Sequence, residues 1–512
     1  MNTTYKLCLL LGWIAWTQAV GAQPAGVAPR SVSPYPPSYQ VNVDARGQNI
    51  VGDAANEPSL CVDPTNPDRM AIGWRQFDTV TNDFRQAGWA YSSDGGLTWT
   101  FPGVLEANVF RSDPVLAADA QGRFYYLSLM ITPVYHCDLW QSTDGGLSWQ
   151  LLSQAYGGDK AWMTIDTTTG PGRGNLYAIW SPWYNFTNNE DQIFSRSTDA
   201  GQTWLNPMPV PYLPGLGTVD VGPGGEVYVA GWNGNFVFSR STNAYDSAAA
   251  PVFDWWGFVN LGGDLAADVP GVNAIGLLGQ VWIAADRSTG PTRGNIYMLA
   301  TVRGTNDPAD IMFVRSTDRG QTWSGPRRIT DDSRPQSAWH WFGTLAVAPN
   351  GRVDACWYDT RHSTNHASSQ LFYAFSSDGG LSWSPNLAIS APFDQTLGYP
   401  AQEKIGDYIS MVSLDNAACI AYTATFNGEE DIYFVRVVPP LVATVLASSG
   451  TVTVVWNAVV GQTYAVQSKG GFNQPWSALP GADSLVATNR VMRVADPSVG
   501  GTRRFYRVTQ LP

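Results

Sequence analysis

The chain has 512 residues, of which 14% are charged, 22 are Trp, 22 are Tyr and 51 are Gly. A single ordinary domain does not use so many residues, and the many aromatic and turn-forming residues favour short strands over long amphipathic helices. The formal net charge of −12 argues against nucleic acid or an anionic membrane surface as a partner, because both require a concentrated positive field.

The first 22 residues have the pattern of a secretory signal peptide. Lys6 precedes an apolar run over residues 7–16, and small residues at 20–22 precede Gln23. The apolar run is shorter than the about 20 residues that a membrane-spanning helix needs. We therefore expect cleavage near Ala22, a secreted protein in an extracellular or periplasmic location, and no membrane span.

An eight-residue pattern, Ser-[Ser/Thr]-Asp-x-Gly-x-[Thr/Ser]-Trp, occurs five times in the chain. The copies, named the octets below, cover residues 92–99, 142–149, 197–204, 316–323 and 376–383. A degraded sixth copy begins at Ser241. An Asp that accepts backbone N–H groups, followed by a Gly that adopts positive φ, predicts a tight hairpin turn with a structural role.

A second repeat consists of a strand, a turn and a strand that ends in aromatic residues. Its seven copies begin near Pro58, Pro114, Ala161, Gly217, Val281, Phe342 and Gly406. Together with the octets, this repeat predicts an all-β protein with a seven-bladed β-propeller over residues 50–438, six blades being the alternative. We interpret residues 23–49 as an N-terminal segment that closes the last blade.

Pro439 and Pro440 interrupt the repeat. The alternating segments that follow predict a small β-sandwich accessory domain over residues 441–512, which loosely resembles a fibronectin type III module. Four cysteines remain after cleavage of the signal peptide, and their spacing predicts neither a metal site nor a particular disulfide. They are Cys61, Cys137, Cys356 and Cys419.

One face of such a propeller carries the octets, and the opposite face carries the inter-blade loops. Polar residues at the starts of first strands and the ends of second strands converge on that opposite face. We predict that the substrate-binding residues are Arg75, Asp113, Lys160, Arg303, His340, Tyr358, Asp359, Arg361 and Asp407. Aromatic rings beside such groups suit a glycan or polysaccharide, without a metal or another cofactor.

The octets after a signal peptide resemble the Asp boxes, or BNR repeats, of the sialidase (neuraminidase) superfamily. The resemblance implies a Tyr nucleophile at the first strand of the last blade, where Tyr408 stands, and an acid in the loop that contains Asp78 and Asp83. Glu57, Glu403 and Asp407 are the candidate carboxylates for taking the Tyr proton. The chain departs from the family at residues 55–58, where the Arg of the Phe/Tyr-Arg-Ile-Pro motif is missing.

Two functions follow as hypotheses. The first is a sialidase-like glycoside hydrolase that acts on extracellular glycans. The second is a non-catalytic propeller that binds glycan or protein partners. In either case we expect a monomer.

Overall fold

The computed structural model describes residues 33–511, except 132–133, 184–190, 268–270, 306, 334–337, 442, 449–450, 459–461, 472–473, 489–490 and 497–503. The predicted signal peptide lies outside the described residues. All the regular secondary-structure elements in the described ranges are β-strands, which confirms the expected all-β class for these residues. Within the same ranges, no helix is long and apolar enough to cross a membrane.

The N-terminal half of the described chain contains seventeen strands. They are β1 (Ser38–Gln40), β2 (Ala54–Val62), β3 (Met70–Phe77), β4 (Gln86–Ser92), β5 (Thr100–Val104), β6 (Ser112–Ala118), β7 (Phe124–Met130), β8 (His136–Ser142), β9 (Gln150–Ala155), β10 (Trp162–Ile165), β11 (Leu176–Ile179), β12 (Gln192–Ser197), β13 (Met208–Pro209), β14 (Gly215–Val221), β15 (Val227–Trp232), β16 (Phe236–Ser241) and β17 (Phe253–Phe258). After β1, these strands form antiparallel sheets of four in chain order, namely β2–β5, β6–β9, β10–β13 and β14–β17.

Thirteen further strands follow before the two prolines. They are β18 (Asp264–Leu265), β19 (Trp282–Ala285), β20 (Ile296–Arg303), β21 (Asp310–Ser316), β22 (Arg327–Arg328), β23 (His340–Val347), β24 (Val353–Asp359), β25 (Ser368–Ser376), β26 (Leu387–Ala388), β27 (Phe393–Asp394), β28 (Ser410–Ser413), β29 (Ala418–Ala424) and β30 (Asp431–Val437). The sheet of β20–β22 includes β18 and β19, which both pair with β20, and the sheet of β23–β26 gains β27 beside β25. The sheet of β28–β30 is completed by β1, which pairs with β30.

The first strands of these sheets touch one another in a closed cycle. β2 contacts β6, and contacts continue through β10, β14, β19 and β23 to β28, which in turn contacts β2. The sheets therefore stand around a common axis, which is the arrangement of a β-propeller. Large side chains fill its centre, since Trp162 packs edge-on against both Trp282 and Tyr408, with ring centroids 4.9 and 5.6 Å apart.

Each octet forms a tight turn after the third strand of its sheet. In the first octet, the Asp94 carboxylate accepts hydrogen bonds from Ser92 Oγ, the backbone N–H groups of Leu97 and Thr98, and Thr98 Oγ1. Burial opposes ionisation of Asp94, but these hydrogen bonds outweigh it and lower its pKa. In the degraded sixth copy, Asn243 Oδ1 accepts from Ser241 Oγ at 3.1 Å.

The segment after the prolines adds seven strands in two sheets. They are β31 (Ala443–Ser448), β32 (Thr451–Asn457), β33 (Thr463–Lys469), β34 (Ser477–Ala478), β35 (Leu485–Val486), β36 (Val491–Asp496) and β37 (Phe505–Gln510). One sheet contains β31, β32 and β36, and the other joins β34, β35 and β37 to β33. Trp456 and Tyr464 lie in the small apolar core between them. The four cysteines, for which no pairing was predicted, are buried free thiols.

Candidate functional site

Bulges at the starts of first strands turn charged side chains toward the propeller axis. The pairing register shifts after Asn56 in β2 and after Ser112 in β6. The extra residues, Glu57 and Asp113, have φ angles of 54° and 44°, and Lys160 before β10 has a φ of 55°. A bulge re-aims a side chain. A non-glycine residue in this region costs about 1–3 kcal/mol, and such residues cluster at functional sites.

Lys160 is the centre of an ion-pair network near the axis. Its Nζ lies 2.8 Å from Asp407 Oδ2, 3.4 Å from Asp159 Oδ1 and 3.7 Å from Asp113 Oδ2. The backbone N–H of Lys160 also donates to Asp113 Oδ2 at 2.8 Å. One ammonium group thus joins carboxylates from three sheets.

Arg75 and Lys404 extend this network. Arg75 Nη2 lies 3.1 Å from Glu57 Oε1, and its Nε donates to Asn56 Oδ1 at 2.8 Å. Lys404 Nζ lies 2.5 Å from Asp407 Oδ2 and 3.7 Å from Glu57 Oε1. The whole group, named the central cluster below, consists of Glu57, Arg75, Asp113, Asp159, Lys160, Lys404 and Asp407.

The carboxyl groups of the central cluster have divergent pKa values. Burial raises the pKa of Glu57 to about 7, although Arg75 opposes the shift. Burial also raises the pKa of Asp159, against the pull of Lys160. Burial acts in the same direction on Asp407, but Lys160 and Lys404 outweigh it and hold the pKa of Asp407 well below its usual value. Paired carboxyl groups whose pKa values are pushed apart are suited to acid and base roles.

Solvent reaches this cluster from the side of Asp159. Its side chain is 34% exposed, whereas Lys160 is 10% exposed and Glu57 is fully buried. The carboxyl group with a raised pKa that a substrate meets first is therefore that of Asp159.

Tyr408, the predicted nucleophile, lies beneath the central cluster. Its side chain is buried, and its hydroxyl donates to the backbone carbonyl of Pro114 at 3.1 Å. Burial, together with Glu57 and Asp113, raises its pKa well above the usual value. A buried phenol that donates its proton to a carbonyl has no access to a substrate, and its raised pKa keeps it protonated. This environment argues against the nucleophilic role.

The predicted carboxylates outside the central cluster are exposed. Asp78 and Asp83 lie in the loop after β3, where Gln86 Nε2 donates to both Asp78 oxygens at 3.2 and 3.3 Å. Glu403 is exposed and has a φ of 55°. The structure therefore does not bring these three residues into the cluster that holds Glu57.

His340, Asp359 and Arg361 belong to a second buried network. His340 Nδ1 lies 3.2 Å from Asp310 Oδ1, and its Nε2 lies 3.5 Å from Asp359 Oδ2, which also receives Arg361 Nη2 at 2.8 Å. Burial alone lowers the pKa of His340, but the hydrogen bonds from its ring to Asp310 and to Asp332 raise it to about 10.

Three oxygen and nitrogen ligand atoms of this second network lie close enough to hold a metal ion. They belong to Asp307, Asp310 and His340 and lie within 4.8 Å of one another. A His with both ring nitrogens protonated has no lone pair for a metal. In addition, Asp310 Oδ2 already forms an ion pair with Arg328, whose Nε lies 2.7 Å away. The donor set therefore fits an internal ion-pair network better than a metal centre.

Two predicted binding residues stand apart from both networks. Tyr358 is buried, and its hydroxyl donates to the carbonyl of Thr423 at 2.5 Å, which makes it a packing residue between two sheets. Arg303 is exposed, and its guanidinium lies 4.0 Å from the exposed Asp264. Neither Tyr358 nor Arg303 therefore belongs to the same site as the central cluster.

Three residues near the cluster were missing from the predicted site. Asp159 directly precedes the predicted Lys160, and Lys404 directly follows the predicted Glu403. Arg85 lies before β4, where its Nε donates to Ser112 Oγ at 3.2 Å and its guanidinium stacks on Phe110 at 4.5 Å. Asp159 and Lys404 are polar residues at strand starts, like the predicted ones, and were left out only when the site residues were chosen from that set, whereas no local pattern identifies Arg85.

Comparison with known proteins gives likeness at the level of structure alone. No family model matches the chain, and no curated protein matches it. A protein of unknown function from Dyadobacter fermentans is 14% identical, with a TM-score of 0.43, and the match covers 78% of this chain and 97% of that one. A variant α-L-arabinofuranosidase from Fusarium graminearum is 11% identical, with a TM-score of 0.41 and the same coverages. The endosialidase of phage phi92 is 10% identical, with a TM-score of 0.43, over 86% of this chain and 74% of that one.

Proposed function

We propose that this chain is a secreted, carbohydrate-active β-propeller that hydrolyses glycosidic bonds in extracellular glycans. The observation that carries the proposal is the central cluster, in which the partly exposed Asp159 and the buried Asp407 lie 3.4 and 2.8 Å from the same Lys160 ammonium group. Strained charged residues supplied by several strand starts are costly to fold. Their convergence on the propeller axis supports a site rather than a packing accident.

Asp159 is the proton donor in this proposal. Its carboxylic acid donates a proton to the glycosidic oxygen, so that the bond from that oxygen to the anomeric carbon breaks. The buried Asp407 carboxylate stabilises through space the positive charge that develops on the sugar ring. A water molecule then adds to the anomeric carbon, and its proton passes to the Asp159 carboxylate. Lys160 and Lys404 keep Asp407 ionised throughout, because both ammonium groups face its Oδ2.

The assignment of Asp159 is tested against the exposed acids predicted from the sequence. Asp159→Asn is expected to lower kcat on a panel of aryl glycosides by about 10²–10⁴-fold, the usual contribution of a positioned acid. Asp83→Asn changes the same charge on the exposed loop and is expected to leave kcat within twofold. Loss of activity in D83N with full activity in D159N would transfer the acid role to the rim.

A non-catalytic glycan-binding or protein-binding propeller is the second candidate. The observation in its favour is that Arg75, Lys160 and Lys404 each already face a carboxylate within the cluster. A purified chain that releases no sugar from the panel, yet binds polysaccharide, would establish this candidate and exclude hydrolysis.

The finer architecture is part of the same proposal. The closed cycle of contacts from β2 to β28 supports seven blades rather than six, and the pairing of β1 with β30 supports closure of the last blade by the segment 23–49. The octets lie at the turns after the third strands and support Asp boxes of the sialidase type. Residues 441–512 are then an accessory domain on a monomeric enzyme.

A further inference from the structure

A line of exposed aromatic side chains begins beside the central cluster and crosses the fourth sheet. Its members are Trp183, Tyr212 and Phe258, which are 36%, 49% and 58% exposed. The three residues, named the aromatic track below, belong to separate segments that follow β11, precede β14 and end β17. Their alignment therefore arises from the tertiary structure and not from one strand.

Hydrogen bonds connect the inner end of the aromatic track to the proposed acid. The backbone N–H of Ser181 donates to the carbonyl of Asp159 at 3.0 Å. Ser181 Oγ accepts from the N–H of Leu216 at 3.1 Å. The indole of Trp183 lies over Gly215, where a β-carbon would come within 3.0 Å of Trp183 Cζ3. Ser181 is thus bonded to both Asp159 and the start of β14, and Trp183, two residues further along the chain, packs on Gly215.

The outer end of the aromatic track is a pair of rings. Tyr212 and Phe258 have centroids 4.7 Å apart at an angle of 44°. Tyr212 adopts a φ of 60°, and Asn233 Nδ2 donates to its carbonyl at 3.3 Å, so that a strained backbone presents the ring. The pairing of Phe258 with Val237 places this pair at the end of the sheet where Gly215 pairs with Trp232.

We propose that the aromatic track binds a glycan chain of three or more units, which extends outward from the central cluster over the fourth sheet. One sugar lies at Asp159, the next stacks on Trp183, and a later one stacks on the Tyr212–Phe258 pair. The track residues carry aromatic faces and no charge, which suits the apolar faces of uncharged sugars. This inference rests on the proposed function, since it names the class of substrate for the same site.

Binding of polysaccharides tests the track independently of catalysis. Affinity electrophoresis in native gels that contain arabinan, glucomannan, mixed-linkage β-glucan or polygalacturonate is expected to retard the protein in at least one neutral polymer. Trp183→Ala and the double variant Tyr212→Ala/Phe258→Ala are each expected to raise the Kd for that polymer about fivefold or more. Leu147→Ala removes an exposed apolar side chain from an octet and is expected to change nothing.

The outcomes separate this inference from the proposed function. The aromatic track would be overturned if only polygalacturonate retarded the protein or if no polymer did. It would also be overturned if the wild type and both track variants were retarded equally. Trp183→Phe is expected to retain most of the affinity, because it keeps an aromatic face. If D159N binds as wild type does and the wild type releases no sugar, the track stands and the hydrolytic function fails.

Discussion

At the scale of single residues, Lys160 is the cation that three carboxylates of the central cluster share. Three carboxylates surround its ammonium group. Without them, burial would favour the uncharged amine at this position. These carboxylates nevertheless raise its pKa well above the usual value. Replacement of Lys160 therefore removes more than one pairwise attraction.

Lys160→Met is expected to lower the free energy of unfolding by about 3–5 kcal/mol, because it removes the ammonium group that three carboxylates share, two of them buried. Urea unfolding followed by tryptophan fluorescence measures this loss. Arg303→Met is the matched control, since its pair with Asp264 is long and exposed, and its effect is expected within about 0.5 kcal/mol. Equal effects of the two variants would contradict the network described around Lys160.

Asp53 makes stability depend on pH. Burial raises its pKa to about 7 in the folded chain, whereas an unfolded Asp titrates near about 4. The folded state therefore holds an extra proton between these values, and the contribution of Asp53 to stability is lost as the pH rises from about 4 to about 7. Asp53→Asn carries no such proton, so its stability relative to wild type is expected to increase across this range.

Urea midpoints of wild type and D53N at pH 4, 5.5, 7 and 8 measure this trend. Asp44→Asn supplies the opposite sign, because backbone hydrogen bonds from Gln48 and Arg46 lower the pKa of Asp44. Its stability relative to wild type is expected to decrease as the pH rises through the range in which Asp44 ionises. A constant difference between D53N and wild type at all four pH values would refute the buried, protonated state of Asp53.

The strand starts explain which site residues the sequence could reveal. Glu57 and Asp113 lie near the starts of β2 and β6, and Lys160 lies just before β10, so their common position could be predicted from the repeat. The orientation of Tyr408 could not be predicted, because its neighbour Trp162 comes from a sheet remote in sequence. Exposure of Asp78 and Asp83 likewise depends on a loop path that no periodicity describes.

At the scale of elements, each octet stabilises a turn at the edge of the propeller that lies away from the central cluster. In the second octet, Asp144 accepts from Ser142 Oγ at 2.8 Å, from the N–H of Ser148 at 3.1 Å and from Ser148 Oγ at 2.6 Å. Gly146 also places its backbone against Ala71 and Tyr91 of the preceding sheet. An octet therefore fixes both a hairpin and the contact between neighbouring sheets.

Asp144→Ala removes this set of hydrogen bonds and is expected to destabilise the protein by about 1 kcal/mol, since the turn is solvent-exposed. Differential scanning calorimetry measures the loss as a lower Tm. Binding of polysaccharide is expected to stay unchanged, because the octet lies at the opposite ends of the strands from Asp159. A weakened affinity in a folded D144A protein would place the octets closer to the site than the structure does.

The fold was more predictable than the site for a reason that the same elements make plain. An octet specifies a local turn by its own residues, and five copies at similar positions imply equivalent sheets without any knowledge of tertiary contacts. The central cluster has no such local determinant. Lys160 reaches Asp407 only when the third and last sheets have come together around the axis.

At the scale of the whole molecule, closure of the ring depends on a short N-terminal strand. β1 pairs with β30, the N–H of Val41 donates to the carbonyl of Ile432 at 2.8 Å, and Asn42 Nδ2 donates to Asp431 Oδ1 at 2.5 Å. The first and last strands of the propeller therefore share one sheet. Without β1, the outer edge of β30 presents unpaired backbone groups that invite association with another chain.

A chain that begins at Asp44 is accordingly expected to have a lower Tm than one that begins at Ser38, and to self-associate. Calorimetry and light scattering on the two chains measure both effects, and the chain that begins at Ser38 is the matched control because it keeps β1. The central cluster lies in the same ring, since Glu57 follows this segment and Asp407 precedes β28. Loss of β1 is therefore expected to weaken polysaccharide binding as well, and a monomeric, equally stable and fully binding Asp44 chain would show that the ring closes without this strand.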